Sequence, residues 1–274
     1  LDRDSAPTEE EQFEVYKEVL ETMAPHPVTI RSLDIGGDKD VPYLGLPAEM
    51  NPFLGWRAIR YCLDRPEIFQ SQLRAILRAS AHGKAQLMLP MISNVEEVRR
   101  ARALLQEVEM DLDRRNIPYD PRMEVGIMIE TPGAALMADI LAQEVDFFSI
   151  GTNDLIQYSL AVDRGNERVS HLFQTFHPGV LRLVQQVIAA GQAAGIKVAM
   201  CGEMAGEVRA VPILLGLGLD EFSMGAGSLL TVKEIIRSLP YHKAQELASQ
   251  ALDLGTGDEI TAFLEESIGD LELG

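Results

Sequence analysis

Apolar positions along this chain alternate between two periods, short buried runs and longer helical stripes. Residues 8–23 place Phe13, Tyr16, Leu20 and Met23 on one helical face behind a Thr8/Glu11 capping box, and Pro25 and Pro27 end that helix. An apolar run over 28–35 reads as a strand, and Gly36 and Gly37 let the backbone turn at its end. A very short strand is expected at 55–59, then a helix over 66–80 that opens at Pro66 and turns Ile68, Phe69, Leu73, Ile76 and Leu77 inward. Residues 86–92 form a buried strand, and Ser93 with Glu96 is expected to cap a charged helix reaching about 115. Further strands are expected near 125–130, 147–152, 197–203 and 221–225. Helices are expected at 132–142, 178–194, 205–216, behind a Thr231/Glu234 cap, and at 243–253 and 258–268, with a short helix or turn at 155–162.

Strands that alternate with helices imply a parallel α/β sheet. Polar and charged residues gather repeatedly at the strand C-terminal ends: Arg31, Arg57, Glu130, Asn153, Asp154, Cys201 and Glu203. A site assembled from the ends of many strands is the habit of a TIM (β/α)8 barrel, whereas a doubly wound sheet concentrates its ligand loops at one switch point. The pattern offers seven strands at most, one short of a barrel. No low-complexity stretch or long linker interrupts it, so one domain over residues 1–274 is expected.

Charge narrows the possible partners. The net charge is −18, which disfavours a nucleic-acid backbone, and after Lys243 the chain has eight acidic residues and no Lys or Arg. Arginines at strand ends stand out against that background. No apolar run approaches the roughly 18 residues needed to span a bilayer. Cys62 and Cys201 make no disulfide framework and fit a reducing cytoplasm. A start at Leu1-Asp2-Arg3-Asp4 is neither a signal peptide nor a start methionine and reads as a fragment of a longer protein.

The chemistry centres on residues 124–166. Two apolar runs there each stop at a carboxylate, Glu130 and Asp154, one strand–helix unit apart. Such a pair suits a hard divalent cation. Arg164 can add an anion clamp. Arg57 and Arg60 bind an anion, or Trp56 beside them anchors a core; both readings stand. Cys201 before Gly202 is either a buried structural thiol or one exposed to a pocket, while Cys62 reads as structural. His171 and His177 are loop residues with no catalytic pattern around them.

The segments Thr-Glu-Glu-Glu-Gln-Phe (8–13), Arg-Ser-Leu-Asp-Ile-Gly-Gly-Asp-Lys (31–39), Asn-Pro-Phe-Leu-Gly-Trp-Arg-Ala-Ile-Arg (51–60), Ser-Ile-Gly-Thr-Asn-Asp-Leu (149–155), Ala-Val-Asp-Arg-Gly-Asn (161–166) and Met-Cys-Gly-Glu-Met-Ala-Gly (200–206) resemble bacterial enzyme I, the phosphoenolpyruvate–protein phosphotransferase family. The pyruvate phosphate dikinase and phosphoenolpyruvate synthase families share part of this pattern. The resemblance implies a phosphoenolpyruvate-binding barrel, the C-terminal domain of a longer parent, lacking here its first strand and a phosphate-binding arginine. It implies Mg2+ on Glu130 and Asp154. Arg31, Asn153 and Arg164 would hold phosphoenolpyruvate, with the backbone around Asp154, and Arg57 would be a nearby pocket arginine. Cys201 would be the proton donor that turns the enolate into pyruvate. Expected partners are the parent's own N-terminal phosphohistidine domain, a histidine phosphocarrier protein and a second copy of the chain. The resemblance does not separate the sugar from the nitrogen-regulatory form. Two other readings remain: a phosphoenolpyruvate-sensing module without turnover, and a pyruvate-enolate lyase-type barrel.

Overall fold

The computed structural model describes residues 5–35 and 46–269. Gly36 and Gly37, expected to shape the turn after the first strand, lie outside them. Six strands are ordered β1-β2-β3-β4-β5-β6 in one sheet: β1 (Val28–Arg31), β2 (Ala85–Leu89), β3 (Glu124–Ile129), β4 (Phe147–Ile150), β5 (Lys197–Met200) and β6 (Glu221–Phe222). This is the α/β winding expected from the alternating pattern. By its internal contacts the chain divides into two compact units, residues 1–127 and 128–274.

In the first unit, helix α1 (Glu9–Met23) starts at the expected capping box: the Glu11 N–H donates to Thr8 Oγ1 at 3.2 Å and the Thr8 N–H to Glu11 Oε2 at 2.8 Å. Its Leu20 is fully buried with Ala79 and Ala85, and Phe13 and Tyr16 pack on that cluster. β1 pairs in parallel with β2, Arg31 opposite Met88, and β2 pairs in parallel with β3, Leu89 opposite Ile127. Helices α2 (Ala58–Asp64), α3 (Pro66–Ser80) and α4 (Val95–Arg114) complete the unit.

Two expectations fail here. The strand expected at 55–59 is a loop over 55–57 followed by the start of α2. A short apolar run does not separate strand from buried helix by periodicity. Ala58, Ile59, Tyr61, Cys62 and Leu63 are all buried, at the i, i+3, i+4 spacing of a helix sunk in its surroundings. The N-cap of α4 is Asn94, not Ser93: Asn94 Oδ1 accepts the Glu97 N–H at 2.9 Å, and Glu97 closes the box by accepting the Asn94 N–H at 3.2 Å. Ser93 adds a hydroxyl bond to the same Glu97 carboxylate.

In the second unit all four residues of β4 are buried, as a strand covered on both faces requires. It pairs in parallel with β5, Phe147 opposite Lys197 and Ile150 opposite Met200, and β5 pairs with β6. The helix expected at 132–142 is two short ones, α5 (Pro132–Leu136) and α6 (Ala138–Leu141), parted at Met137 with φ −106° and ψ 19°. Helix α7 (Thr152–Leu160) begins three residues before the expected start, so Asn153 and Asp154 lie in its first turn. Helix α8 (Pro178–Ala194) ends as expected at Gly195, which takes the left-handed φ of 73°. The helix expected at 205–216 is a 3-10 turn (Glu203–Gly206) followed by α9 (Val211–Leu217). Helix α10 (Ala226–Ser238) starts at Gly225, so Thr231 sits inside it and caps nothing. A capping-box pattern within an apolar run also occurs in helix interiors. Helices α11 (Tyr241–Asp253) and α12 (Gly257–Gly269) close the chain. None of the described helices is long and apolar enough to cross a membrane.

Candidate functional site

The candidate residues fall in both units. In the first, β1 delivers Arg31 at its last position, and the chain then brings back Asp34. The buried Arg57, N-cap of α2, turns its guanidinium onto that carboxylate, with Nη2 3.0 Å from both oxygens and Nε 3.3 Å from Oδ1. Arg31 reaches the same carboxylate at 3.3 Å but leaves 41% of its side chain exposed. Two positive charges around one buried carboxylate make a local excess of positive charge. Arg60 does not join them; its Nη1 donates to the carbonyls of Leu54 and Gly55 at 2.8 and 3.1 Å. Trp56 is half-buried against Tyr61 and donates its indole N–H to Asp64 at 2.9 Å, so it serves as an anchor. Cys62 is buried beneath, and burial together with the nearby Asp34 charge pushes its thiol up to about 12. It stays protonated and chemically inert.

In the second unit, Glu130 follows β3 and Asp154 sits in the first turn of α7; both are buried. Gly151 ties the two segments together. Its N–H donates to the Ile129 carbonyl at 3.1 Å, and a Cβ at this position would lie 2.7 Å from Glu130 Oε2. Only glycine leaves room for that carboxylate against the backbone that opens α7. The N-terminal end of a helix also favours negative charge. Arg164 lies 3.5 Å from Asp154, and its backbone N–H donates to the buried Gln157 at 3.0 Å, which fixes the loop after α7.

Cys201 follows β5. Its N–H donates to the Ile150 carbonyl at 3.0 Å, continuing the β4–β5 ladder by one step, and its thiol is partly exposed. Cys201 and Asn153 line one open cavity of about 490 Å³, together with Glu203, Glu207, Ser223 and Ser228. Asn153 and Glu203 bond each other twice, the Glu203 N–H to Asn153 Oδ1 at 3.1 Å and Asn153 Nδ2 to Glu203 Oε1 at 3.3 Å. The second unit thus brings Asn153, Asp154 and Arg164 together on α7 and its following loop, with Glu130 against Gly151 and Cys201 in the cavity beside Asn153.

Three contributors escaped the sequence reading as site residues. Asp34 showed only as part of the 31–39 segment and Glu203 only as a polar residue at a strand end, and Gln157 gave no signal in the middle of a short helix. His171 stays exposed, whereas His177 caps α8 by accepting the Gly179 N–H at 3.1 Å.

Glu130 and Asp154 are buried oxygen donors, the ligand type that a hard divalent cation takes. Among the described residues no group of three or more His, Cys, Asp and Glu forms a complete ligand cage.

The family model described as PEP-utilising enzyme, PEP-binding domain matches residues 1–241. The phosphoenolpyruvate-protein phosphotransferase of Staphylococcus carnosus (strain TM300) is 56% identical over 266 residues, which cover 97% of this chain and 46% of that protein. The phosphoenolpyruvate-protein phosphotransferase of Haemophilus influenzae is 54% identical over 266 residues with the same coverage, 97% and 46%. The chain spans about half the length of these relatives. Among solved structures, the lead(II) complex of Haloferax volcanii malate synthase aligns with a TM-score of 0.56 at 15% identity, over 95% of this chain and 71% of that one. At that identity the likeness concerns the fold alone, and it places the six-stranded parallel sheet among TIM-barrel-like α/β proteins. With the family model matched from the first residue through the start of α11, the chain belongs to the PEP-utilising enzymes, as a PEP-binding domain.

Proposed function

We propose that this chain binds phosphoenolpyruvate with Mg2+ and supports transfer of its phosphoryl group to a histidine carried elsewhere in a longer protein, releasing pyruvate. The reading takes its support from the name of its relatives, phosphoenolpyruvate-protein phosphotransferase, and makes the reaction the first step of the phosphotransferase system. The observation that carries the reading is the grouping of two buried carboxylates with Arg164 and Asn153 at the start of α7, in a member of a PEP-binding family.

Phosphoenolpyruvate carries a phosphate and a carboxylate, so its site needs several cationic forks. In the second unit Arg164 supplies one fork and Asn153 adds a neutral donor; in the first unit Arg31 offers another fork. Arg57, engaged with Asp34, holds that carboxylate and through it the guanidinium of Arg31. Glu130 and Asp154 would hold the cation, which when bound neutralises charge on the transferring phosphoryl oxygens. As the phosphoryl group leaves, the electron pair of the breaking P–O bond stays on the enolate oxygen. The enolate then takes the proton of the Cys201 thiol at its methylene carbon, giving the methyl group of pyruvate, and the thiolate recovers its proton from water. A lyase-type reading on the same fold leaves Cys201 without a task. The proposed partners are a histidine phosphocarrier protein, the phosphohistidine domain of the parent and a second copy of this chain, in the cytoplasm.

Titration calorimetry of the full chain with phosphoenolpyruvate should show saturable binding that strengthens on adding Mg2+. Absence of binding with the metal present, or turnover of 2-oxo acids instead, overturns the proposal.

A further inference from the structure

Asn153 is bound on both ends of its amide by one residue, Glu203, fifty positions away in sequence. The two bonds fix which end is which. A backbone N–H can only donate, so the atom facing the Glu203 N–H is Oδ1. A carboxylate only accepts, so the atom facing Glu203 Oε1 is Nδ2. Flipping the amide would set donor against donor and acceptor against acceptor. The clasp therefore admits one orientation, and it leaves the second N–H of Nδ2 uncommitted among the described residues, on a side chain that lines the cavity.

The loop that carries Glu203 has little freedom of its own. Gly202 lies flat on the first residue of α7: a Cβ there would fall 1.8 Å from Thr152 Oγ1 and 2.6 Å from the Thr152 nitrogen. Cys201, the preceding residue, is tied to Ile150 through its N–H. Cys201, Gly202 and Glu203 thus press in sequence on Ile150, Thr152 and Asn153.

We propose that Glu203 is a positioning residue, which locks the Asn153 amide as a hydrogen-bond donor in the cavity lined by Cys201 and so makes this side of the site select an anionic acceptor. The proposal rests on the reading of Asn153 as a ligand-binding residue. It also gives the carboxylate of Glu203 a reason to stand in a site for an anion. Its charge is spent on an amide donor, and it joins the ligand-holding turn of α7 to the segment of the proton donor.

The test compares wild type with E203A, E203Q, N153A and the double variant N153A/E203A in the full chain. The first measurement needs no ligand: the side-chain 15N–1H signals of Asn153. E203A should shift them and speed their exchange with water, while E203Q, which keeps an acceptor oxygen, should preserve them. The second is calorimetric affinity for phosphoenolpyruvate with Mg2+. E203A should weaken it about fivefold, the size of one net hydrogen bond. E203Q should restore it, and N153A/E203A should bind no worse than N153A. An unchanged Asn153 amide in E203A sinks the proposal. So does an equal loss on adding E203A to wild type and to N153A, which would mean that Glu203 acts independently of Asn153. If wild type binds no phosphoenolpyruvate, the functional reading fails, and the amide signals still decide whether the clasp exists.

Discussion

Arg57 grips Asp34 through both Nε and Nη2, at 3.0 to 3.3 Å, with 7% of the arginine side chain and 4% of the aspartate side chain exposed. A pair this buried is costly to break from one side, because the remaining charge cannot be solvated.

Asp34→Ala leaves the guanidinium of Arg57 in that environment and removes the partner of Arg31. The expected loss of stability is about 3 kcal/mol, in the range for breaking a buried pair. Urea denaturation checks it, and a loss below about 1 kcal/mol would show that the pair is solvated in solution.

Cys62 makes stability depend on pH in the alkaline range. The thiol titrates at 9.0 when unperturbed and at about 12 in the fold. Between those values the unfolded chain has lost its proton and the folded chain has kept it. The folded state binds more protons, so stability is full below pH 9 and falls as pH rises toward 12. The slope approaches about 1.4 kcal/mol per pH unit. Cys62→Ala should flatten it, as read from denaturation midpoints at pH 8, 9 and 10. A thiol reagent at pH 8 should label Cys201 well before Cys62.

Gly151→Ala would place a methyl group 2.7 Å from Glu130 Oε2 and 2.9 Å from the Met128 methyl carbon. The carboxylate must move, and overpacking of this kind costs about 1–3 kcal/mol. Mn2+ bound to the chain, measured by its electron paramagnetic resonance signal, should weaken roughly tenfold, the loss expected when a ligand's supporting contacts are disturbed. Unchanged Mn2+ affinity would remove Glu130 from the metal.

Arg164→Lys replaces a planar fork with a point charge beside Asp154. Affinity for phosphoenolpyruvate should fall about tenfold, as expected for losing one charge-assisted hydrogen bond. Equal affinity by calorimetry would deny the clamp. Cys201→Ala should keep that affinity and abolish solvent deuterium exchange into the pyruvate methyl group.

Legible in residue order alone were the parallel α/β winding, the Thr8 cap, the start of α3 at Pro66 and the end of α8 at Gly195. These signals are local: a cap, a proline or a glycine acts within one turn, and a buried run declares itself by composition. The remainder came from packing between distant segments. Residues 55–59 read as a short strand, and the burial of Ala58, Ile59, Tyr61 and Cys62 shows instead the start of a helix, α2. Asp34 needed Arg57 brought back from a later element before it became the centre of an ion pair. Glu130 shows its closeness to α7 only through the missing Cβ of Gly151, and Glu203 meets Asn153 across fifty residues. Partners such as Asn153 and Glu203 leave no periodic trace, because their closeness is set by how β4 and β5 pair and not by the turn of any one element.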